Sequence, residues 1–431
     1  MLRPRFISNP TPEGRGSRAE GRGAGVEGRH FVASTLDTRH LRPDTSQLLP
    51  ALFSLLLGAL MLQTPGLAGG AALPASADQS VSYLNDVDPR APMSAHIIKI
   101  KRSATDVRFC TTFGRGDVLG MDNVTEQLKT VPAELGQIVA AINGDFYHKT
   151  KGYEGRPRDV QIRRGEVVSS PSGHTSFWID PRGQPQTTNI ASLFRVVWPD
   201  GKTTPIGLNQ YRTNDAAVLF TAAVGSSTRT SGGLEYVLEP ATTNGPWLPL
   251  RIGQVYEARV RAVSEAGNTP VGRATMVLSI GPKLAPALAP LAPGAGVKVI
   301  TETFPDLSGV DAAIGGGPAL VHAGKLMQWK DLIRVRHPRT AIGWNDDYIL
   351  LVVVDGRQMD VSIGMTLPEL AQYMLQLGCK EAMNFDGGGS ATLWAFGAVR
   401  NSPSEGQERP ACNALAVLKK KADANPKTAA R

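Results

Sequence analysis

The chain has 431 residues, 42% of them hydrophobic and 19% charged, so it is too apolar for a disordered protein and long enough for one large core or two modest ones. Its 46 Gly and 31 Pro exceed the usual share of both residues, which argues against a helical bundle and for many short strands joined by turns. The formal net charge of +8 sits mainly at the two ends, because residues 1–77 hold eight Arg against five acidic residues and residues 419–431 hold five basic residues against one acid. Residues 78–418 keep a charge near zero, so no nucleic acid partner is expected.

The first 77 residues are predicted to direct export. Residues 1–47 are rich in Gly and Arg without apolar periodicity, which is typical of a disordered leader. An uncharged apolar run at 48–62 follows two arginines and precedes an Ala-Ser-Ala site at 75–77. This pattern predicts a secretory signal peptide over residues 48–77, and therefore a secreted or periplasmic protein. The run is short for a membrane span, which needs about 20 residues, so a retained membrane anchor is the weaker alternative.

From residue 95 onward, short apolar runs separated by turn residues predict a series of strands. Most runs are rich in β-branched or aromatic residues, and many alternate apolar with polar positions. The predicted strands cover residues 95–100, 137–142, 159–168, 174–179, 216–220, 255–263, 274–280, 339–344, 348–354, 381–385, 391–396 and 412–418. This pattern favours an α+β domain over residues 78–418, built on mixed or antiparallel β-sheet with few helices, and followed by a basic tail at 419–431.

One helix carries a full set of signals. Thr366 suits the N-cap, Glu369 stands three residues later as in a capping box, and an apolar stripe runs to Gly378, a suitable end residue. A second, weaker helix is expected over residues 131–135. The Pro- and Ala-rich stretch 282–295 is either a linker between domains or a loop on the surface of a single domain.

The cysteines predict no disulfide scaffold, since there are only three. A Cys379–Cys412 bridge is geometrically conceivable in an oxidising compartment, but separate buried thiols are the preferred interpretation. No CxxC or HExxH pattern is present, so a dedicated zinc site is not expected.

Three segments place glycine next to an ionisable or amide side chain at the end of a predicted strand. They begin at Asn143, Ile314 and Asn384 and read NGDFY, IGGGP and NFDGGGS. Consecutive glycines usually mark a close approach of the backbone to something else, and their N–H groups can form a nest for an anion. A plain turn rarely needs Asn, Asp, three glycines and Ser together, so function is favoured for Asp386 and, less strongly, for Asp145. The glycines before Pro318 are more simply structural.

Two further segments supply cations and acids. Arg339 leads into a predicted strand and has the planar fork that grips a phosphate or carboxylate through two hydrogen bonds. Asp355 and Arg357 end the next strand, where a substrate contact and an ordinary hairpin turn are equally compatible with the pattern. His337 is expected to be a surface or turn residue.

In chain order, the motifs AINGDFY, IGGGPALV, HPRTAIG, VVVDGR and TLPELAQYMLQLGCKEAMNFDGGGSATL resemble the phosphodiester glycosidase family, many of whose bacterial members are labelled exopolysaccharide-biosynthesis proteins. The resemblance spans about residues 95–418 and is loose over a β-rich middle segment, 190–305. It implies a hydrolase that cleaves the glycosidic C–O bond of a sugar-1-phosphodiester, such as an N-acetylglucosamine-1-phosphodiester or a cell-surface polysaccharide.

Roles for individual residues follow as hypotheses. Asp386 is expected to be the base or nucleophile, Asp145 the second carboxylate, and Arg339 a cationic donor to the phosphate. The expected substrate-binding residues are Asn143, Gly144, Thr340, Asp355, Arg357, Gly387, Gly388, Gly389 and Ser390. No cofactor is expected to be required, although a divalent cation such as calcium is compatible with these carboxylates.

Two other classes of function stay open from the sequence. One is a non-catalytic glycan-binding protein of the cell envelope that has the pocket without turnover. The other is a phosphodiesterase that cuts the P–O bond, which usually needs metal ions to hold the phosphoryl oxygens.

Overall fold

The computed structural model describes residues 80–88, 90, 92–329 and 334–420, all within one compact unit. The leader at 1–47, the signal segment at 48–77 and the tail from 421 lie outside the described residues. The described part has two α-helices, α1 (Val124–Lys129) and α2 (Leu367–Gln376). Short 3₁₀ turns cover Ala133–Leu135, Ala222–Val224, Ala285–Ala287 and Gly388–Ser390. Strands far outnumber helices, so the expected α+β class is right in its few helices, but the fold is mostly β.

The strands follow one another along nearly the whole described chain. In order they are β1 (Val81–Asp88), β2 (Met93–Lys101), β3 (Val107–Thr111), β4 (Gln137–Asn143), β5 (Tyr147–His148), β6 (Arg156–Pro157), β7 (Gln161–Arg163), β8 (Glu166–Ser169), β9 (Thr175–Ile179), β10 (Pro185–Asn189), β11 (Ala191–Ser192), β12 (Arg195–Val197), β13 (Thr203–Pro205), β14 (Gly207–Leu208), β15 (Ala217–Phe220), β16 (Leu234–Pro240), β17 (Val255–Ser264), β18 (Met276–Ile280), β19 (Gly296–Ile300), β20 (Thr303–Phe304), β21 (Ala312–Gly315), β22 (Ala319–His322), β23 (Lys325–Leu326), β24 (Arg339–Trp344), β25 (Tyr348–Val354), β26 (Glu381–Asn384), β27 (Leu393–Ala395), β28 (Ala398–Val399) and β29 (Ala414–Lys419).

Four larger sheets and two small ribbons contain these strands. A seven-stranded sheet has the order β1-β2-β25-β24-β26-β22-β23, and an eight-stranded sheet has the order β13-β12-β19-β17-β16-β18-β15-β14. Two five-stranded sheets have the orders β10-β9-β21-β7-β8 and β28-β27-β4-β29-β3, while β5-β6 and β11-β20 form the ribbons. All described pairings are antiparallel except β14 with β15, which agrees with the expected mixed or antiparallel sheet.

The β9–β21 sheet lies between two hydrophobic cores. Successive side chains of a strand point to opposite faces, and Phe177 and Ile314 pack into a core with the seven-stranded sheet and the β4–β29 sheet. Their neighbours Trp178 and Ala313 pack into a second core, whose other members come mostly from the eight-stranded sheet. The sequence segment 190–305 therefore contributes a β-sheet with its own buried interior.

Helix α2 forms as the sequence predicts. The Thr366 hydroxyl accepts a hydrogen bond from the Glu369 N–H, and the Glu369 side chain accepts one from the Thr366 N–H, which completes the capping box. Its apolar stripe packs on the seven-stranded sheet through Leu370 and Met374. The weaker helix expected at 131–135 is only a 3₁₀ turn at Ala133–Leu135, because the α-helix ends before it, at Lys129.

The stretch 282–295 is a loop that covers the eight-stranded sheet. Leu291 is buried, and Leu284, Ala285, Leu288 and Ala295 pack against the same core. Of the two alternatives for this stretch, the structure favours the surface loop.

Candidate active site

The site forms where strands of two different sheets end side by side. Asn143 is the last residue of β4, and its Nδ2 donates a hydrogen bond to the Asp386 carbonyl over 2.7 Å. The Asp386 N–H donates in turn to the Gly144 carbonyl over 3.0 Å, and the Thr340 hydroxyl of β24 donates to the Asn143 Oδ1 over 2.7 Å. Asn143 therefore joins the three motifs to which Gly144, Thr340 and Asp386 belong.

Glycine is required beside Asn143 because no side chain would fit there. A Cβ on Gly144 would collide with the side chains of Ile314 and Asn413. The Asn413 Oδ1 accepts the Asp145 N–H over 2.8 Å, so Asn413 fixes the backbone at the turn. The motif NGD thus needs its glycine for packing, and both backbone groups of Gly144 are used, since its N–H donates to the Asn413 carbonyl over 3.0 Å and its carbonyl accepts the Asp386 N–H.

Asp386 is half-buried at the start of the glycine loop, which is defined here as residues 387–389. Burial raises the pKa of Asp386, while a hydrogen bond from Ser390, the charges of Arg409 and Arg158, and the Gly387 N–H oppose that shift. The result is a carboxyl group that is partly removed from water and has two cations near it. A carboxyl group in such a setting can serve as a base or a nucleophile.

The glycine loop holds itself in place with amides that the sequence assigned to the substrate. The Gly388 N–H donates to the Pro338 carbonyl over 2.9 Å, and the Gly387 N–H bonds to Asp386. A Cβ on Gly387 would lie 2.6 Å from the Pro338 carbonyl oxygen, so this glycine also permits a close approach of two backbones. Two of the three predicted amide donors are therefore used within the protein.

Arg409 supplies a cation that the sequence reasoning missed. Its Nη2 donates to the Ser390 hydroxyl over 2.9 Å and its Nη1 approaches the Glu405 carboxylate at 3.4 Å, while its buried Nε has no partner in the described part of the chain. It reaches the site because it precedes β29, which pairs with β4. Nothing in the local pattern ERPACN marks it, so only knowledge of that strand pairing could have found it.

Asp145 lies beneath this surface and is almost fully buried. Its Oδ2 accepts the Asp159 N–H over 2.7 Å, and its Oδ1 has no hydrogen-bond partner among the described residues. Burial raises the pKa of Asp145 to about 8, and the charge of Asp159 adds to the shift, while the Asp159 N–H and Arg158 oppose it. Near neutral pH the group is therefore mainly a protonated carboxylic acid.

Arg339 does not point toward Asp386, contrary to the expectation from the sequence. It precedes Thr340 on β24, and since neighbouring side chains of a strand face opposite sides, its guanidinium lies on the side of helix α2. There its Nε donates to the Met365 carbonyl over 2.8 Å and its Nη2 to the Val335 carbonyl over 3.1 Å. Burial lowers the pKa of Arg339 to about 10. A grip on the phosphate is therefore not assigned to this residue.

Asp355 is likewise used inside the protein. Its Oδ2 lies 2.8 Å from the His96 Nε2, and its Oδ1 accepts the Ser402 N–H over 2.8 Å. The side chain is buried, so the expected substrate contact is replaced by a structural network that ties β2 to β25.

Arg357 does lie beside the glycine loop. It is exposed, and a Cβ added to Gly388 would come within 3.0 Å of its Nη2. The same Nη2 lies 3.2 Å from the His337 Nδ1. Arg357 can therefore reach an anion bound over Asp386.

The three cysteines are separate buried thiols, as preferred from the sequence. Cys110, Cys379 and Cys412 are buried free thiols, and Cys412 donates to the Asp145 carbonyl over 3.3 Å. Within residues 80–420, leaving out the gaps in the description, no group of three or more His, Cys, Asp or Glu is placed to hold a metal ion. The helices in that same part are too short or too polar to cross a membrane.

Comparisons with known proteins agree with this fold. A hypothetical protein from Synechocystis has a crystal structure that matches with a TM-score of 0.64 at 17% identity, covering 79% of this chain and 62% of that one. A protein from Burkholderia pseudomallei K96243 described as exported matches with a TM-score of 0.57 at 20% identity, covering 76% of this chain and 74% of that one. At these identities the likeness shows the fold alone.

Sequence comparisons cover shorter stretches. The uncharacterized SPbeta prophage-derived protein YomE of Bacillus subtilis is 37% identical over 94 residues, which is 22% of this chain and 14% of that protein. This chain thus spans about a seventh of the length of that relative. The family model described as phosphodiester glycosidase matches residues 253–418, a range that contains Thr340, Asp386 and Arg409 but not Asn143 or Asp145. The resemblance seen in the motifs from IGGGPALV onward is thereby confirmed over residues 253–418, which match the phosphodiester glycosidase family model.

Proposed function

We propose that this protein is an exported glycosidase that hydrolyses the bond between a sugar C1 and the phosphate oxygen of a sugar-1-phosphodiester. The substrate is an N-acetylglucosamine-1-phosphodiester or a cell-surface polysaccharide with such a linkage. The observation that carries the proposal is the position of Asp386, a half-buried carboxyl group with Arg158 and Arg409 near it, at the point where the chain ends of β4 and β26 meet.

The leaving group explains why one half-buried carboxylate is enough. An ordinary glycosidase needs a carboxylic acid to protonate the departing oxygen. A phosphate monoester has a second pKa near 6, so it departs as an anion without much help from a proton. The protein must mainly stabilise that anion and the positive charge that develops at C1.

Different residues of the described chain are proposed for the attack at C1 and for holding the phosphate. Ionised Asp386 either accepts a proton from a water that attacks C1, or adds to C1 itself and is released when water hydrolyses the resulting sugar–Asp386 ester. In both cases the C1–O bond breaks and its electron pair stays on the phosphate monoester. Arg409 with Ser390, and Arg357 at the edge of the glycine loop, are placed to hold the phosphate oxygens, which is the role that the sequence assigned to Arg339. Buried Asp145 is a positioning residue under the turn, and no cofactor is part of the proposal.

Export is supported by two observations of different kinds. Residues 48–77 have the pattern of a signal peptide, and a structural relative from Burkholderia pseudomallei is described as exported. We therefore place the proposed substrate outside the cytoplasm.

The decisive experiment follows the oxygen atom. The purified chain is incubated with methyl N-acetylglucosamine-1-phosphodiester in oxygen-18 water, with and without a chelator, and the methyl phosphate is examined by mass spectrometry. We expect methyl phosphate without the label and an equal rate in chelator. Labelled methyl phosphate indicates a phosphodiesterase, and a metal-dependent one if activity is also lost in chelator. Unlabelled methyl phosphate with activity lost in chelator indicates a glycosidase that uses a divalent cation, and binding without any product indicates a glycan-binding protein.

Variants then test the residues. Asp386→Asn is expected to lower kcat by about 10²–10⁴-fold, the usual contribution of a proton-transfer group, while Asp360→Asn, which changes an exposed acid, keeps the rate. Arg409→Gln is expected to raise KM and lower kcat. Arg339→Gln is expected to act mainly on thermal stability, because within the described residues its guanidinium donates to the Met365 and Val335 backbone carbonyls. The reverse order of the two arginine variants in activity contradicts the assignment of the phosphate contacts.

A further inference from the structure

A separate cleft lies on the other side of the short hairpin β5–β6. Its volume is about 480 Å³, which is in the range of small-molecule sites. The side chains that give it chemical character are His148, Arg156, Arg158, His174, Tyr153 and Tyr211. None of them takes part in the hydrolysis proposed above, apart from the effect of the Arg158 charge on Asp386.

The hairpin places this cleft next to the Asp386 site. Successive residues of the hairpin point to opposite faces. Tyr147 interacts electrostatically with both Arg409 and Asp386, so it lies on the side of the Asp386 site. The next residue, His148, is paired with Arg156 across the hairpin, and both line the cleft. One two-stranded ribbon therefore forms the wall between the two sites.

Arg156 is the unusual group in the cleft. It is only 7% exposed, and its guanidinium donates no hydrogen bond to any described residue, its buried Nε included. Burial lowers the pKa of Arg156 to about 10, although Asp145 and Asp159 favour its charged form. A buried cation without hydrogen bonds is costly unless a ligand supplies them.

The negative groups behind Arg156 do not meet this need. Asp145 is mainly protonated near neutral pH, for the reasons given above. The Asp159 oxygens already accept hydrogen bonds from Ser172 and from both the N–H and the ring Nδ1 of His174, at 2.8–3.2 Å. The donors of Arg156 are therefore left for something that enters the cleft.

The remaining walls fit a carbohydrate. Tyr211 is 54% exposed and meets Tyr153 edge to face, with ring centroids 6.0 Å apart. Tyrosine rings offer a broad apolar face beside a polar tip, and the hydroxyl of Ser172 and the amide of Gln210 also line the cleft.

We propose that this cleft binds a second anionic group of the substrate, one repeat away from the scissile phosphodiester. The inference rests on the proposed function and narrows its substrate to a glycan with acidic groups in successive repeats, in which Arg156 and Arg158 hold the next phosphate and Tyr211 covers the sugar between them. A sugar carboxylate offers the same chemistry to the two arginines, so the test distinguishes the two sources.

The experiment measures binding by calorimetry with the full chain carrying Asp386→Asn, so that hydrolysis does not interfere. The probes are methyl N-acetylglucosamine-1-phosphodiester, with one phosphate; a dimer of N-acetylglucosamine-1-phosphate units, with two phosphates; and the same dimer with a glucuronate in place of the second phosphate. We expect the two-phosphate probe to bind about tenfold or more tightly than the one-phosphate probe, as a charge-assisted pair of hydrogen bonds provides.

Arg156→Gln is expected to remove this preference, and Arg261→Gln, which removes an exposed arginine of β17, to keep it. Tyr211→Ala changes an exposed side chain and is the second test if Arg156→Gln does not fold. It should weaken binding of the two-phosphate probe more than binding of the one-phosphate probe. If the glucuronate probe gains as much affinity over the one-phosphate probe as the two-phosphate probe does, the site binds acidic glycans in general. If the Asp386→Asn protein with no change in the cleft binds all three probes with equal affinity, the inference is overturned.

The proposed function and this inference fail in different ways. If no probe is hydrolysed by the protein with Asp386 intact, the hydrolase is refuted, but the binding preference still decides whether the cleft takes a second anion. If hydrolysis occurs with no preference among the probes, only the second subsite is refuted.

Discussion

Asp145 shows how burial decides the chemistry of a single residue. The sequence places it two residues after Asn143 and makes it a candidate for the second carboxylate. In the structure its Oδ1 is enclosed without a hydrogen-bond partner, and a Cβ on Gly315 would lie only 2.5 Å from its Oδ2. A carboxylate in such a place is destabilised relative to the neutral acid, so we expect Asp145 to support the turn rather than to act on a substrate.

This burial predicts a dependence of stability on pH. The pKa of Asp145 is about 8 in the folded chain and near 3.9 when unfolded, so the folded state binds the extra proton between these values. The free energy of unfolding should therefore fall as pH rises from about 4 to about 8, by up to about 1.4 kcal/mol per pH unit from this group. Urea denaturation at a series of pH values measures the slope.

Asp145→Asn provides the comparison for this prediction. The amide has nearly the same shape and does not titrate, so the variant should lose this part of the slope and gain stability relative to the parent chain as pH rises. Identical slopes in the two proteins, within the error of the extrapolation, would falsify the assignment of the buried proton to Asp145.

At this scale the sequence predicts the motifs better than the directions of their side chains. Asn143, Thr340 and Asp386 do meet, since each belongs to a motif at a strand end. The direction of the Arg339 side chain could not be predicted, because the sequence does not show which face of β24 turns toward Asn143. Thr340 occupies that face, so Arg339 lies on the opposite one. Arg409 and Asn413 join the site only through the pairing of β29 with β4, a contact between residues far apart in sequence.

At the scale of elements, the end of β21 controls how closely the sheets approach the site. Gly315, Gly316 and Gly317 follow one another here, and the Gly317 N–H donates to the Asn384 carbonyl over 2.7 Å. The Asn384 Nδ2 donates back to the Gly317 carbonyl over 2.9 Å. These contacts hold β21 against the end of β26, two residues before Asp386, so the preferred structural interpretation of these glycines agrees with the contacts.

Gly316→Ala is therefore expected to destabilise the protein. Its Cβ would lie 2.7 Å from the Met383 Cε, 2.7 Å from the Phe385 Cδ1 and 2.8 Å from the Asn384 carbonyl oxygen, and overpacking of this kind typically costs about 1–3 kcal/mol. Thermal denaturation measures the loss. The matched control is Gly296→Ala in β19, where a Cβ meets nothing closer than 4.0 Å, and an equal loss in both variants would show that packing against β26 is not the cause.

Elements with local signals are the ones that the sequence predicts. Helix α2 has its capping box and its end residue within one short stretch, so its bounds are nearly right. Helix α1 lacks a side-chain hydrogen bond at its N-cap, Asn123, and is only six residues long, which leaves little periodicity to read. The two-residue strands β5 and β6 exist only through their pairing with each other, so the wall beside Asp386 could not be derived from local sequence.

At the scale of the whole molecule, the β9–β21 sheet links the two cores. Phe177 packs on the side of the seven-stranded sheet, and Trp178 packs on the side of the eight-stranded sheet. Residues 190–305 match the family only loosely in sequence, because their strands lack the family motifs. The structure instead gives these strands a core to which Val160, Ile162 and Val167 of the motif-bearing part also contribute, and no local pattern could show which strands share an interior.

A shared sheet predicts that the two cores unfold together. Phe177→Ala opens a cavity on one face of this sheet, and a buried Phe→Ala change costs about 3–5 kcal/mol. Trp178 and Trp198 lie in the core on the other face, and Trp344 lies in the same core as Phe177, so tryptophan fluorescence reports on both cores. It should therefore show a single transition, whose midpoint falls together with the midpoint of far-UV circular dichroism. Phe304→Ala, at a side chain that is 72% exposed, is the control and should leave both midpoints almost unchanged. If Phe177→Ala instead separates the two signals into independent transitions, the cores are thermodynamically distinct, and the site at the end of β21 depends on only one of them.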